Sequence, residues 1–215
     1  MKILKKLIKK ILGKNFFYNG YYEIESSLEG LTSILDLGCG DNSPYLRYWI
    51  KNNHNSIGVD LYANKYFSKN YKIIQKDVID FVKLQSDKSF DAVLALDIIE
   101  HFEKSDALFL IKEIERIAKK KIIIVTPNGF WPGMLSGPGQ THLCGFTYDE
   151  FRKFGYQVWG GGGLACLRSK KHSHLKCLNF KNTLPLQLII FNIGNLFVKQ
   201  KPELAYGLLA IKNIK

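Results

Sequence analysis

Cysteine is scarce, with four in 215 residues (Cys39, Cys144, Cys166 and Cys177), and no two stand as C-x-x-C. That excludes a disulfide framework in a chain of this length and points to a reducing, cytoplasmic setting. Long apolar runs are lacking as well. The longest, 184–198, spans about fifteen residues and contains Gln187, Asn192 and Asn195, whereas a membrane-spanning helix needs roughly twenty. The first twelve residues, MKILKKLIKKIL, never go more than two positions without a lysine, so the apolar stretch of a secretory signal is not expected. Acidic residues are missing from the two ends. Residues 1–14 carry six lysines and no acid, and 168–215 carry nine basic residues against Glu203 alone. The body between them, 15–167, has sixteen basic and eighteen acidic residues, so the net charge of +12 is a property of the flanks. With 46% hydrophobic and 23% charged residues, the composition is that of a globular fold and not of a disordered chain.

The basic ends also carry apolar residues. Ile3, Leu4, Leu7, Ile8, Ile11 and Leu12 recur at i, i+3, i+4 spacing with Lys2, Lys5, Lys6, Lys9 and Lys10 opposite, which predicts an amphipathic helix over 2–12. Such a helix is about 16 Å long and marginal alone in water. It must dock either on the protein's own core or on an anionic membrane surface. Nucleic acid is not an expected partner, because the basic stretches carry no interleaved aromatics and no recognised motif.

The middle alternates β-branched runs with helical patterns. Strands are predicted at 33–37, 56–60, 71–75, 90–96, 121–125, 156–159 and 205–211. Between them, Ser43-Pro44 opens a helix to about 52. A short helix covers 78–84, and Ser105 caps a longer one with a stripe of Leu108, Ile111, Ile114 and Ile117–Ala118. Lys119–Lys121 would close that helix at the negative pole of its dipole. Thr147-x-x-Glu150 is a capping box for a helix to about 154. Gly160–Gly163 reads as a flexible hinge, followed by an apolar and basic insertion at about 164–202. Helices of 8–16 residues between strands predict an α/β fold with a Rossmann-like, doubly wound, mostly parallel sheet of seven strands. The last strand would be antiparallel. Residues 1–30 form a lead-in and 31–215 the main domain.

In such a sheet, ligands collect beyond the carboxyl ends of the strands where the strand order reverses. The first strand ends in Asp36-Leu37-Gly38-Cys39-Gly40, the second in Asp60-Leu61 and the third in Asp77-Val78. Glycines 38 and 40 let the backbone turn and approach a ligand. Asp60 is placed to accept from ribose hydroxyls and Asp77 from an adenine amino group. Ser43 stands where a dinucleotide fingerprint would have its third glycine. A carboxylate at Asp36 would repel a pyrophosphate but suit a cationic amino group. These features describe an adenosine pocket without phosphate.

Taken together, ILDLGCG (34–40), GVD (58–60), KDVIDF (76–81), FDAVLALDIIEHF (90–102) and IIIVTPNG (122–129) resemble, in order and spacing, the class I S-adenosylmethionine-dependent methyltransferases, and most closely the small-molecule branch that includes quinone-biosynthesis enzymes. The resemblance implies S-adenosyl-L-methionine as cofactor. Asp36, Gly38, Cys39 and Gly40 would hold its methionine end, Asp60 and Leu61 the ribose, Asp77 and Val78 the adenine, and Leu96 and Asp97 the floor near the sulfonium. Asn42 departs from the pattern, where many members have glycine. Transfer needs alignment and exclusion of water, with a base if the acceptor is a hydroxyl. His101 and His142 are the candidate bases; each could equally be a loop-orienting hydrogen bonder. Phe130, Trp131 and Phe146 either line the acceptor pocket or anchor the 127–146 loop. The expected acceptor is a small or lipid-linked molecule, met at the inner face of a membrane if the basic ends bind lipid. A nicotinamide-dependent oxidoreductase on a similar sheet and a non-catalytic cofactor-binding subunit are the rival readings. No metal site is expected, since Cys166, His172, His174 and Cys177 match no common zinc spacing.

Overall fold

The structure, a computed structural model, describes residues 21–41, 55–64, 66–67, 71–132, 139–167 and 194–214. The helices expected at 2–12 and 43–52, and His172, His174 and Cys177, lie outside the described residues. The chain runs α1 (Tyr21–Leu28), β1 (Ile34–Leu37), β2 (Ser56–Asp60), β3 (Tyr66–Phe67), β4 (Tyr71–Gln75), α2 (Val78–Lys83), β5 (Phe90–Leu96), a 3-10 turn (Ile99–His101) and α3 (Lys104–Ile117). It continues with β6 (Ala118–Pro127), α4 (Tyr148–Lys153), β7 (Gln157–Leu164), a helical stretch at 194–200 and β8 (Ala205–Asn213).

One sheet takes the order β3-β4-β2-β1-β5-β6-β8-β7. The expected seven-stranded sheet is therefore present, extended at one edge by the two-residue β3, which pairs antiparallel with β4. β4, β2, β1, β5 and β6 run parallel, and β8 runs antiparallel to both β6 and β7. From β1 the chain winds outward to β2 and β4, then returns to place β5 on β1's other side, so the strand order reverses between β1 and β5.

Burial explains the pattern of the central strands. Every residue of β1 and β5 is buried, because both sheet faces are covered. Period-two alternation divides each strand between two cores. Leu35, Leu37, Val93, Ala95, Ile122 and Ile124 face α2 and α3, whereas Ile34, Ala92, Leu94 and Ile123 face Ile24 and Leu28 of α1. α1 was unforeseen, falling within the stretch read as lead-in.

α3 corrects three expectations. Its first helical residue is Lys104, with Glu103 and not Ser105 at the cap position. Its buried stripe is Ala107, Leu110, Ile111, Ile114 and Ile117, while Leu108 is exposed. Lys119–Lys121 do not close the helix. They belong to β6, which starts at Ala118 because the helix ends at Ile117 and the chain turns directly into the sheet. The cation near the helix end is Arg116, bound to Glu113 and Asp87 and donating to the carbonyls of Val82 and Gln85. The Thr147–Glu150 capping box forms as expected.

Gly160–Gly163 is not a hinge. All four glycines lie in β7; Gly160 and Gly161 pair with Leu208 and Gly207 of β8, and Gly162 and Gly163 fall in the register shift before Leu164. At Gly160 the reason is proximity, since a Cβ would stand 2.2 Å from the Val198 carbonyl oxygen and 2.7 Å from Ala205 Cβ, whereas Gly162 and Gly163 take left-handed backbone at φ +71° and +77°. Bare backbone lets the 194–200 helix press onto the sheet, and Asn195 Oδ1 accepts from Gly163 N at 2.7 Å. β7 consequently runs five residues beyond the expected end at 159.

Candidate functional site

The glycine loop after β1 is shaped by close approach. Gly38 has φ +71°, and a Cβ there would lie 2.4 Å from Ile98 Cδ1 and 2.9 Å from Ile98 Cβ. Gly38 N and Cys39 N donate to the Val59 carbonyl at 2.8 and 3.3 Å, which fastens the loop to β2. Gly40, also left-handed at φ +63°, donates to Asp60 Oδ2 at 3.0 Å. Asp60 Oδ1 accepts from Tyr62 N and Ala63 N at 2.7 and 2.9 Å. One carboxylate at the end of β2 thus sets two loops, and among the described residues three of its roughly four lone-pair sites are used.

Asp77 opens α2. Its Oδ1 accepts from Ile79 N and Asp80 N at 2.8 and 3.1 Å, an Asx cap that satisfies two otherwise orphaned amide donors. Among the described residues, Oδ2 has no hydrogen-bond partner and remains for a ligand. Asp97 follows β5 in a left-handed conformation, φ +52°, rare for a residue with a Cβ. It opens onto the cleft but is hemmed in by protein on its other sides, and the lost hydration pushes its carboxyl up to about 6.

These ends converge on a cleft of about 250 Å³ beyond the strand-order reversal. Of the residues expected to hold a cofactor, Gly38, Asp60, Leu61, Asp77, Val78 and Asp97 line it. Asp36, Cys39, Gly40 and Leu96 do not. Asp36, 1% exposed, is enclosed within β1 between Gly58 and Leu94 on the neighbouring strands. Cys39 is buried, and burial followed by the nearby Asp36 raises its thiol well above the ordinary range. Gly40 contributes through Asp60, and Leu96 belongs to the α1-side core.

His101 lines the cleft; His142 stands behind it, the two rings 4.9 Å apart and 68° inclined. His101 Nδ1 lies 3.0 Å from the Thr141 carbonyl, and His142 Nδ1 bonds to the Trp131 carbonyl. A carbonyl only accepts, so each Nδ1 carries a proton, and in the neutral form of either ring the lone pair stands on Nε2. Burial lowers the His101 pKa, opposed by the Thr141 carbonyl. Trp131 Nε1 donates to the Asn128 carbonyl and its ring meets Tyr206 edge-on, while Phe146 is wholly buried against Phe151. Both anchor the loop. Phe130 is exposed.

Sequence reasoning missed Glu100. It is 2% exposed, accepts from Thr126 Oγ1 at 3.0 Å, and its carbonyl accepts from Leu143 N and Cys144 N at 2.8 and 3.2 Å. Burial first, then the Asp97 charge, push its carboxyl up to about 8. Tyr62 and Gly139, also missed, close the cleft's rim: a Cβ on Gly139 would stand 2.6 Å from the Tyr62 ring.

Residues 35–126 match the family described as "Methyltransferase domain". No curated protein matches the chain. Among solved structures, a SAM-dependent methyltransferase from Archaeoglobus fulgidus is similar over 98% of this chain and 99% of its own, at 16% identity and TM-score 0.52. The 1,6-didemethyltoxoflavin-N1-methyltransferase of Burkholderia thailandensis, with bound 1,6-didemethyltoxoflavin and S-adenosylhomocysteine, matches over 90% of this chain and 76% of its own, at 13% identity and TM-score 0.53. A putative methyltransferase in complex with the Haloferax volcanii Trm112 activator matches over 91% of this chain and 89% of its own, at 13% identity and TM-score 0.54. At these identities the likeness is one of fold.

Proposed function

We propose that this chain is a class I S-adenosylmethionine-dependent methyltransferase, in which the cleft beyond β1, β2 and β5 binds the cofactor and presents its methyl group to an acceptor on the histidine side; the match of residues 35–126 to the methyltransferase domain family supports the reading. The observation that carries this reading is the convergence of Gly38, Asp60, Asp77 and Asp97 from four separate strand ends on one cleft. The donor set fits the cofactor. Asp60 and Asp77 each keep accepting capacity after their backbone bonds, which suits ribose hydroxyls and an adenine amino group. Leu61 and Val78 supply apolar contact for the nucleoside. Gly38 provides a close backbone approach, and Cys39 and Gly40 hold its loop to β2 through Val59 and Asp60, with Asp36 enclosed in β1 beneath. Asp97 forms the floor beside the sulfonium, with Leu96 packed in the core behind it.

S-adenosylmethionine supplies an already activated methyl group, so the protein's work is alignment and exclusion of water. His101 faces the cleft with a neutral ring and its lone pair on Nε2, the protonation state a base needs; His142 stands next in line. Either would take a proton from an acceptor hydroxyl as the methyl group arrives.

Of a small-molecule and a lipid-linked acceptor, we read the acceptor as lipid-linked. Support comes from the sequence: a cationic amphipathic pattern over 2–12 and an oily 184–198 stretch next to a basic one. No helix among the described residues is long and apolar enough to cross a membrane, so lipid would be met from its surface. The test is a labelled-methyl screen of the purified protein against fractionated lipids and soluble metabolites. Label in a lipid fraction is expected. Label confined to water-soluble products would remove the lipid-linked acceptor, and no label in any fraction would contradict transfer.

A further inference from the structure

We propose that Glu100, His101 and His142 form a binding site for one divalent first-row transition ion of the zinc class, at the edge of the cleft. Each residue offers a ligating atom, and the three atoms lie within 4.8 Å of one another. An ion at roughly 2.1 Å from nitrogen and oxygen ligands in tetrahedral geometry sets them roughly 3.4 Å apart, so modest rotamer changes close the site. Two imidazoles and one carboxylate are the donor set of open, three-ligand catalytic sites.

The surroundings are those of a prepared site. Both histidines donate Nδ1–H to backbone carbonyls, of Thr141 and of Trp131. That arrangement fixes the tautomer and leaves Nε2 for a metal, as the outer shell of histidine ligands does. Glu100 is held by Thr126 Oγ1 on one oxygen, Oε2. Its carbonyl pins Leu143 N and Cys144 N, so the loop bearing His142 is tied to the residue that would share the ion. A carboxyl 2% exposed, with no cationic side chain bound to it among the described residues, is costly to ionise; a bound cation supplies the missing charge. Because His101 lines the cleft, the ion's open position would face the acceptor. With the ion in place, the two rings act through it instead of as bases.

The inference stands apart from the methyl-transfer reading and is tested apart from it. Untagged full-length protein, stripped with a chelator, is titrated with Co²⁺ by visible absorption and with Zn²⁺ by calorimetry. One equivalent is expected, with d–d bands of low-symmetry coordination. His142→Ala, which changes a half-buried loop residue, and Glu100→Gln, nearly isosteric, should each weaken binding by at least about tenfold, with melting temperatures showing that both variants fold. Absence of binding, or binding equally tight in both variants, overturns the proposal. S-adenosylhomocysteine titrated into wild type with and without chelator separates the two claims: loss of that binding contradicts the cofactor reading and leaves the metal result intact.

Discussion

A methyl group on Gly38 would collide with Ile98 and force a left-handed backbone on a residue with a Cβ. The backbone term alone costs about 1–2 kcal/mol, and the loop lies against the cleft. Gly38→Ala is therefore expected to weaken S-adenosylhomocysteine binding by about tenfold or more in calorimetry; an unchanged affinity would mean that the loop does not form the site. Asp91 sets a second test. Its Oδ2 accepts from Thr32 N and Thr32 Oγ1, both at 3.0 Å, and Oδ1 lies 3.5 Å from Lys120 Nζ. The Thr32 amide, opposed by some burial and helped by the hydroxyl and by Lys120, holds the carboxyl below its ordinary value. A depressed folded pKa contributes stability that is complete above the unfolded value, near 4, and is lost as pH falls through the lower folded value. Asp91→Asn should cost about 1 kcal/mol at neutral pH and flatten the loss of stability below pH 4. Identical acid-unfolding curves for the two proteins would refute this. At this scale, the acids closing β2, β4 and β5 were legible because they stand directly after apolar strand runs, at the carboxyl ends where such a sheet gathers ligands. Glu100 was not. A single glutamate beside a histidine gives no sign in sequence that the fold will bury it.

Among the elements, β1 and β5 were read to within a residue, since each is apolar but for a single aspartate, whereas β6 starts three residues before the expected 121. Errors came where tertiary contact overrides local pattern. Leu108 fits a 3.6-residue stripe as well as Leu110 does; only the angle at which α3 lies on the sheet decides between them. Four consecutive glycines read as a hinge because the use of the first, Gly160, is the approach of Val198 and Ala205, residues about forty positions later in the chain. Gly160→Ala should destabilise the protein by about 1–3 kcal/mol, the usual cost of overpacking, seen as a lower melting temperature. Its chief effect would be faster hydrogen exchange at 194–200. If the glycines were only a hinge, Ala would be neutral or slightly stabilising through the unfolded chain.

Over the whole molecule, charge and chemistry are segregated. The near-neutral body carries the sheet and the cleft, while the basic excess lies in the flanks. If the flanks serve a lipid surface, changing Lys5, Lys6, Lys9 and Lys10 to glutamate should abolish sedimentation with anionic vesicles at low salt and leave cofactor binding intact. Each lysine near such a surface contributes about 1 kcal/mol. Unchanged sedimentation would show that the 2–12 segment serves the protein's own core. The order of motifs fixed the architecture early because right-handed parallel crossovers permit few sheets; the acceptor stayed illegible, since it is read by loops whose packing no local pattern encodes.

The central claim is that carboxylates at neighbouring strand ends clasp a sulfonium nucleoside. Calorimetric titration of the full-length protein with S-adenosylhomocysteine, with NADH as the competing ligand class and Asp60→Ala alongside, tests it most directly. One equivalent of S-adenosylhomocysteine should bind, NADH should not, and Asp60→Ala should lose affinity on the order of a hundredfold, the worth of two hydrogen bonds to a charged group. Saturable binding of NADH alone, or full affinity in the Asp60 variant, would contradict the account.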